Sequence, residues 1–462
     1  MTAKFNLARA ACLVAVTLVG SAPAPVRGDD AAAGWDALPA LLEKITPPTF
    51  PDRDFVITDY IREAEAGSSK QDVLPAITAA IAACHDAGGG RVVVPAGEWR
   101  VDGPIHLRSN VNLHVQAGAT IRFSTDATDY LPQVLTRFEG TELMNFSPLV
   151  YAYQQENIAV TGEGTLDGGA SKKNWWSWTG RGAVGQESPI QQLGRMADEG
   201  VPPAERVFGE KEQLRINFVQ PYDCQNVLIE GVTVVNSPMW ILHPVLCKNV
   251  TVRGVTVDSH GPNNDGCNPE SCSHVLIDGC TFDTGDDCIA IKSGRNADGR
   301  RIGVPSESIV VRNCRMKDGH GGVVLGSEMS GGIRNVYVEN CQMDSPELER
   351  AIRLKSNSIR GGYLENMFVR NIEVGEVSDA VVRINLEYWN ESGDHPPRVR
   401  NVFIDNVTSK KSKYPLYLVG LPERPIENVR LTNCSFAGAK KPSIIENVAN
   451  LELINTAIPR ED

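Results

Sequence analysis

Beyond its N-terminal segment, this 462-residue chain has no apolar run long enough to cross a bilayer, which takes about 20 residues as a helix. It has eleven cysteines but no pair spaced C-x-x-C, so a zinc site is not expected. It also lacks a basic excess: Lys and Arg number 45 against 57 Asp and Glu, a formal net charge of −12. That argues against nucleic acid as a partner, because phosphate binding needs a basic face. An anionic ligand would have to be met by a local cluster of basic side chains, against the overall charge.

Residues 1–28 stand apart. Lys4 and Arg9 carry the charge, Ala10 to Val19 is apolar, and small residues run on to Val26-Arg27-Gly28. This is the pattern of a secretory signal peptide, too short to span a membrane, with cleavage expected after Gly28. The expectation is an exported, secreted or periplasmic protein with no membrane span after the leader is removed. Export permits disulfides among the remaining cysteines.

What the chain does have is a repeat. An apolar-x-apolar alternation, then Gly or Asn, then a second alternation begins at Ile158, Val227, Val250, Val275, Ile309, Val336, Met367, Val402, Val429 and Leu451. Asn stands immediately before eight of these ten. Period-two alternation means strands with one buried face. Steps as short as 22 residues leave no room for a strand plus a crossover helix. They suit one coil of short strands and tight turns, and stacked coils make a parallel β-helix. A sandwich calls for antiparallel hairpins and a leucine-rich repeat for its own Leu/Asn spacing; neither pattern runs through the chain. Cys280, Cys314, Cys341 and Cys434 share one phase of the repeat and are expected to fill the core as small apolar groups. Val73, Leu74, Ile77, Ile81 and Cys84 fall at helical spacing before Gly88-Gly89-Gly90, which predicts a helix capping the first coil. Residues 29–462 are therefore read as one all-β domain. Residues 169–215 interrupt the repeat as an excursion carrying Trp175, Trp176 and Trp178.

Aligning the coils at Ile289, Val323, Ile352 and Val382 turns Lys292, Arg353, Lys355, Arg383 and Asn385 outward, on adjacent coils. This is the local basic cluster that an acidic protein needs. In the turns before these strands, Asp286 and His320 each precede the strand by three residues. NDGC and DDC place Asp265 one coil before Asp286 if the two motifs are equally spaced. Asp265, Asp286 and His320 are then expected to form a column, with Asp287 beside it. Strands neighbour one another at about 4.8 Å, so carboxylates this close cannot all ionise freely and at least one pKa should rise. Such an arrangement suits a general acid working with a general base. Turn-only and calcium-binding roles for these acids are the competing readings.

The four motifs Asn263-Asn264-Asp265, Gly285-Asp286-Asp287, Gly319-His320-Gly321 and Arg353-Leu354-Lys355, in this order, resemble those of the polygalacturonase family, glycoside hydrolase family 28. The resemblance covers nearly the whole mature chain and implies a right-handed parallel β-helix that hydrolyses pectic polysaccharide with inversion and without a metal or other cofactor. It implies Asp286 as the general acid, Asp265 and Asp287 as the groups that activate water, and His320 as a residue that tunes the acid. Arg353 and Lys355 would hold the sugar carboxylate, with Lys292, Arg383 and Asn263 in the same binding surface. Two positions depart from the family pattern. Asn264 replaces Thr and reads as a spacer; Asn268 replaces a second Asp, which removes an acid near the cleft. The segment GGVVLGSEMSGG and the excursion resemble bacterial exo-acting members, with the Trp cluster as a sugar-stacking wall or a buried anchor. A rhamnogalacturonan-directed hydrolase, a calcium-dependent pectate lyase and a non-catalytic glycan-binding β-helix are the alternatives.

Overall fold

The computed structural model describes residues 34–61, 72–178, 187–209 and 211–458. The expected leader and part of the 169–215 excursion lie outside them. Each repeat forms two strands that pair in parallel and in register with the next coil. Ile158, Val227, Val250 and Val275 align, as do Val336, Met367, Val402 and Val429. The aligned apolar residues form one continuous core from Ile57 to Phe436. The expected right-handed β-helix is the observed fold.

The Asn before each repeat has a backbone reason. All ten positions preceding the repeats, Asn157 through Asn450 with His274 and Ser308, lie in the left-handed region with φ between +53° and +61°. Among non-glycine residues, Asn tolerates that region best. Its side chain adds a ladder between coils. Asn226 Nδ2 donates to Asn157 Oδ1 at 2.9 Å and Asn249 to Asn226 at 2.8 Å. Beyond the interruption at His274 and Ser308 the ladder resumes: Asn366 donates to Asn335, Asn401 to Asn366 and Asn428 to Asn401, at 3.0, 2.9 and 3.0 Å.

Cys280, Cys314, Cys341 and Cys434 are buried as expected. Cys224, Cys247 and Cys272 form a second stack at another corner, where the Cys247 N–H donates to Cys272 Sγ at 3.3 Å. All ten cysteines among the described residues are free thiols. Burial pushes those of Cys247 and Cys267 well above their ordinary range, which makes them inert packing.

The helix Leu74–Asp86 buries Ile77, Ile81 and Cys84 against the first coil and ends at Gly88 and Gly89, both with positive φ. A second cover comes from Gly34–Glu43. Its Trp35 packs edge-on against Tyr337 and Phe368, in an aromatic stack that continues to Phe403.

The face that matters for function is a six-stranded parallel sheet running through Ile289–Ile291, Val323–Gly326, Arg350–Lys355, Ala380–Asn385, Tyr414–Val419 and Ile444–Glu446. N-terminal to it the same side of the solenoid is occupied by an antiparallel hairpin, Val134–Phe138 with Thr141–Asn145. The hairpin runs along the coils. Tyr151 Oη donates to the Leu135 carbonyl at 2.7 Å, Thr136 Oγ1 to Gln220 Oε1 at 2.6 Å, and Arg137 pairs with Glu270 at 2.9 Å. At its tip the Gly140 carbonyl accepts from Arg295 N at 3.0 Å. The helix Pro189–Asp198 of the excursion packs behind it through Leu193, in a cluster with Phe138, Leu143, Phe208 and Trp240.

The Asn ladder makes a graded prediction. Asn401→Ala loses two amide hydrogen bonds and places a Cβ residue without a compensating side chain in the left-handed region, at a cost of about 2–3 kcal/mol. Asn401→Gly loses the same bonds but keeps the backbone relaxed, so its denaturation midpoint should fall less. Equal midpoints would show that left-handed backbone is not what Asn401 supplies.

Candidate active site

The functional side chains sit in the turns just before the groove strands and on the strands' outward positions. Close nesting of successive turns needs small residues. A Cβ on Gly285 would meet the Gly261 carbonyl oxygen at 2.4 Å, and one on Gly319, which has φ +148°, would meet the Asp286 carbonyl oxygen at 2.6 Å. Asn264 is more than a spacer. Fully buried, it accepts from Ser259 Oγ at 2.7 Å and from Gly261 N at 2.8 Å, and it donates to the Ser237 and Met239 carbonyls, both at 3.1 Å. It therefore locks the turn that carries Asp265.

The register of the acids differs from the equal-spacing expectation. Cys267 bridges Ile289 rather than Cys288, and Gly266 N donates to the Asp287 carbonyl at 3.0 Å. Asp265 therefore neighbours Asp287 along the solenoid, and the column starts at Asp286, whose Oδ1 lies 3.0 Å from His320 Nδ1. The cause is the turn before Asp265: Ser259 pairs with Thr284 and Cys267 with Ile289, so the stretch that carries Asp265 is longer than the Asp-Asp turn opposite it. The three carboxylates still converge, with one oxygen of each within 4.8 Å of the others.

Their environments are unequal. Asp265 is 2% exposed; its Oδ2 accepts from Asn268 Nδ2 at 2.8 Å and lies 3.4 Å from Lys292 Nζ. Its Oδ1 has no hydrogen-bond partner among the described residues. Burial pushes this carboxyl up to about 7, against the pull of Lys292 and with the push of Asp286 and Asp287. Asn268 thus acts on Asp265 from below rather than on a subsite, because it is itself fully buried. Burial also pushes Asp286 up, but the His320 hydrogen bond and the charges of Lys355, His320 and Lys292 outweigh it and bring Asp286 down to about 2. The same hydrogen bond raises the pKa of His320. The expected rise therefore falls on Asp265, and the ligand-free Asp286–His320 pair carries its proton on the imidazole. Asp287 is buried and double-paired, with Arg353 Nη1 at 3.2 Å and Lys355 Nζ at 2.7 Å.

A cavity of about 600 Å³ joins these groups. Asp265, Asp286, His320, Asn263, Lys292, Arg353, Lys355 and Arg383 all line it, and Asp287 lies just beneath. Glu139, Trp240, Glu328, Arg350, Tyr388 and Trp389 are among the further lining residues that were not legible in the sequence. Register could have found Arg350, because Gly322 N donates to its carbonyl at 2.8 Å. Tyr388 follows Asn385 by one turn, a weak signal. Glu139 comes from the hairpin tip and had none. Glu328 sits 3.1 Å from Lys292 Nζ. Burial would raise its carboxyl, but Lys292, Arg360 and Arg295 hold it well below the carboxylate range. Trp389, 62% exposed with φ +61°, stacks on Tyr388 at 4.9 Å at the rim. The Trp175 group is an anchor. Trp175 is 1% exposed and packs edge-on with Tyr130 and Trp178, and Trp176 Nε1 donates to the Ser237 carbonyl at 2.9 Å.

The chain matches the family model described as Glycosyl hydrolases family 28 over residues 208–456. It is 26% identical over 373 residues to a probable polygalacturonase of Vitis vinifera, covering 77% of this chain and 68% of that one. It is 27% identical over 369 residues to an exo-poly-alpha-D-galacturonosidase of Dickeya chrysanthemi, of whose length that alignment spans 59%. Among solved structures, the hyperthermoactive exopolygalacturonase from Thermotoga maritima superposes with a TM-score of 0.86 at 45% identity, over 91% of this chain and 96% of that one.

The coupling among the acids can be read directly. Carboxyl ¹³C titration should place Asp265 near pH 7. Asp286→Asn removes a charge that raises it and should move that midpoint down; Lys292→Met removes a charge that lowers it and should move it up. Shifts of the opposite sign would contradict this electrostatic assignment.

Proposed function

This chain belongs to glycosyl hydrolases family 28 and is a glycosidase, and we propose that it releases galacturonate from the end of α-linked galacturonan, a pectic polysaccharide, with inversion. The observation that carries the exo reading is the hairpin. Its tip, Glu139-Gly140, closes the groove beside the carboxylates, against Arg295 and Glu328. On the other side Arg350, Arg353 and Arg383 continue the cavity. A polyanion is thereby accepted on the cationic side and stopped by the tip, where Glu139 is paired with Arg295. The element that stops it is the hairpin, with the helix Pro189–Asp198 behind it.

Water, activated by Asp265 with Asp287 beside it, attacks the anomeric carbon and gives up its proton to Asp265. The unpartnered Oδ1 of Asp265 and its pKa of about 7 suit a base at neutral pH. As the glycosidic bond breaks, Asp286 protonates the leaving oxygen. The 3.0 Å contact to His320 Nδ1 is the route by which Asp286 receives that proton. A sugar carboxylate entering the cavity favours this transfer, because a nearby negative charge raises the Asp286 pKa. Arg353 and Lys355 hold the sugar carboxylate on the open side, sharing their charge with Asp287. Lys292 and Lys355 lie against Asp265 and Asp287. These ammonium groups already supply the counter-charge that a calcium-dependent lyase would take from its metal. The oxygen separations, within 4.8 Å, are shorter than the roughly 6.5–9.5 Å typical between the carboxyls of inverting enzymes; inversion is supported by family membership. Export by the leader at 1–28 completes the reading, placing the enzyme where pectic polymers occur.

Digestion of polygalacturonate should yield monomeric galacturonate from the first time point, with ¹H NMR showing the β-anomer first. An early ladder of oligomers would rule out exo action, and a first-formed α-anomer would rule out inversion. Release only from rhamnogalacturonan fragments would transfer the activity to that substrate. Asp286→Asn should lower turnover by about 10²–10⁴-fold while the substrate still binds.

A further inference from the structure

Six cations approach the cavity, and each has a carboxylate. Lys292 pairs with Glu328 at 3.1 Å, Arg295 with Glu139 at 2.5 Å, Arg350 with Asp379 at 2.8 Å, Arg353 and Lys355 with Asp287 at 3.2 and 2.7 Å, and Arg383 with Asp379 at 2.6 Å. A seventh, Arg215, differs. It is 5% exposed and makes no ion pair among the described residues. Its guanidinium donates to neutral acceptors only: the Pro262 carbonyl, the Pro238 carbonyl at 3.2 Å and Asn263 Oδ1 at 2.6 Å. Burial pulls its pKa down to about 10, so it remains protonated at neutral pH. The acidic charges that act on it are Glu139, Asp286 and Asp265, none of them in direct contact. The cation therefore lies in the neighbourhood of the hairpin tip and the catalytic carboxylates, uncompensated at short range.

A buried charge without a partner is costly, and an arriving anion relieves that cost. Arg215 also fixes the Asn263 side chain. Because Oδ1 of Asn263 accepts from Arg215, its Nδ2 donors are the part of the amide left for the cavity that Asn263 lines. Near the closed end the cavity thus offers an amide donor backed by a buried positive charge. A pocket built for a neutral sugar would need no such charge.

We propose that Asn263 and Arg215 form the receptor for the carboxylate of the terminal sugar, the one that is released. Asn263 makes the contact, and Arg215 is a positioning residue that orients its amide and supplies the charge. This rests on the exo-galacturonate reading above. Arg215 belongs to the interruption between repeats, outside all four motifs, so no repeat alignment points to it.

The test compares two galacturonate oligomers that differ only in the terminal sugar, one with a free carboxylate and one with its methyl ester. The wild-type enzyme should prefer the free acid. In Arg215→Met the ratio of kcat/KM for acid over ester should fall on the order of 30-fold, about one charge-assisted hydrogen bond, with the loss carried by KM. Arg215→Lys should recover part of the ratio. If Arg215→Met lowers both substrates equally and leaves the ratio unchanged, Arg215 only braces the 262–265 turn and the proposal fails, while exo release by the wild type still stands. If the wild type releases no monomer from either oligomer, the exo reading itself fails. Should Arg215→Met not fold, as judged by its circular dichroism, Asn263→Asp decides. It places a carboxylate where the amide faces the cavity and should reverse the preference toward the ester; a retained preference for the acid would overturn the receptor.

Discussion

Parallel register is the constraint on which the rest of the molecule depends. Once each coil pairs with the next, equivalent positions are held about 4.8 Å apart whatever their chemistry. Apolar positions profit, and the result is one core from Ile57 to Phe436. Turn positions must accept left-handed backbone, and Asn meets that demand while its amide bonds the coil before it. Outward positions have no choice of neighbour either. Arg353 is placed opposite Arg383, and Asp286 opposite His320. Like charges that would separate on a flexible surface are kept together, so counter-charges have to be built in between.

That interleaving explains the electrostatics of the site. Asp287 takes Arg353 and Lys355, Asp379 takes Arg350 and Arg383, and Glu328 takes Lys292. The pairing leaves the two cavity-lining acids in different states. Asp286 faces His320 and stays ionised without ligand, whereas Asp265 is buried and sits near neutrality. Two carboxylates whose pKa values are pushed apart by their surroundings suit a division into acid and base. For the roles proposed here the resting order is the reverse of the working one, with His320 holding the proton that Asp286 would need as the acid.

Much of this was legible in the sequence because the repeat repeats. The alternation from Ile158 to Leu451, the capping helix, the buried Cys280 column and the outward Lys292, Arg353 and Lys355 all follow from periodicity. What failed were the places where periodicity breaks. Turns of unequal length shifted Asp265 by one residue, so its neighbour is Asp287. Asn264 looks like a spacer in sequence, but two of its four hydrogen bonds reach Ser237 and Met239 a coil away. Glu139 and Arg215 reach the site from segments with no counterpart in other coils, and no alignment of repeats can place them. The Trp175 group had the composition of a sugar platform, but its packing against Tyr130 and Trp178 makes it an anchor.

The repeat supplies the chemistry, and the non-repeating hairpin supplies the end of the groove, so the hairpin must be placed as accurately as a coil without a coil's hydrogen-bond ladder. Its apolar side, Phe138 and Leu143 in the Leu193 and Phe208 cluster, gives adhesion but little register. Register comes from polar contacts, the neutral bonds of Leu135 and Thr136 and the buried charges together. Arg137, fully buried, reaches Glu270 at 2.9 Å, and Glu270 is held by His243 at 2.7 Å. Arg206 and the Glu142 N–H both meet Asp298, at 2.9 and 2.8 Å. A buried ion pair adds little net stability compared with an apolar pair, yet breaking one costs about 3–5 kcal/mol. Sliding the hairpin along the coils would break the Arg137–Glu270 pair and the Glu142 N–H bond to Asp298 at once. A network that contributes modestly to folding thus sets where Glu139 stands at the cavity, and on the exo reading proposed above it sets the end of the groove as well.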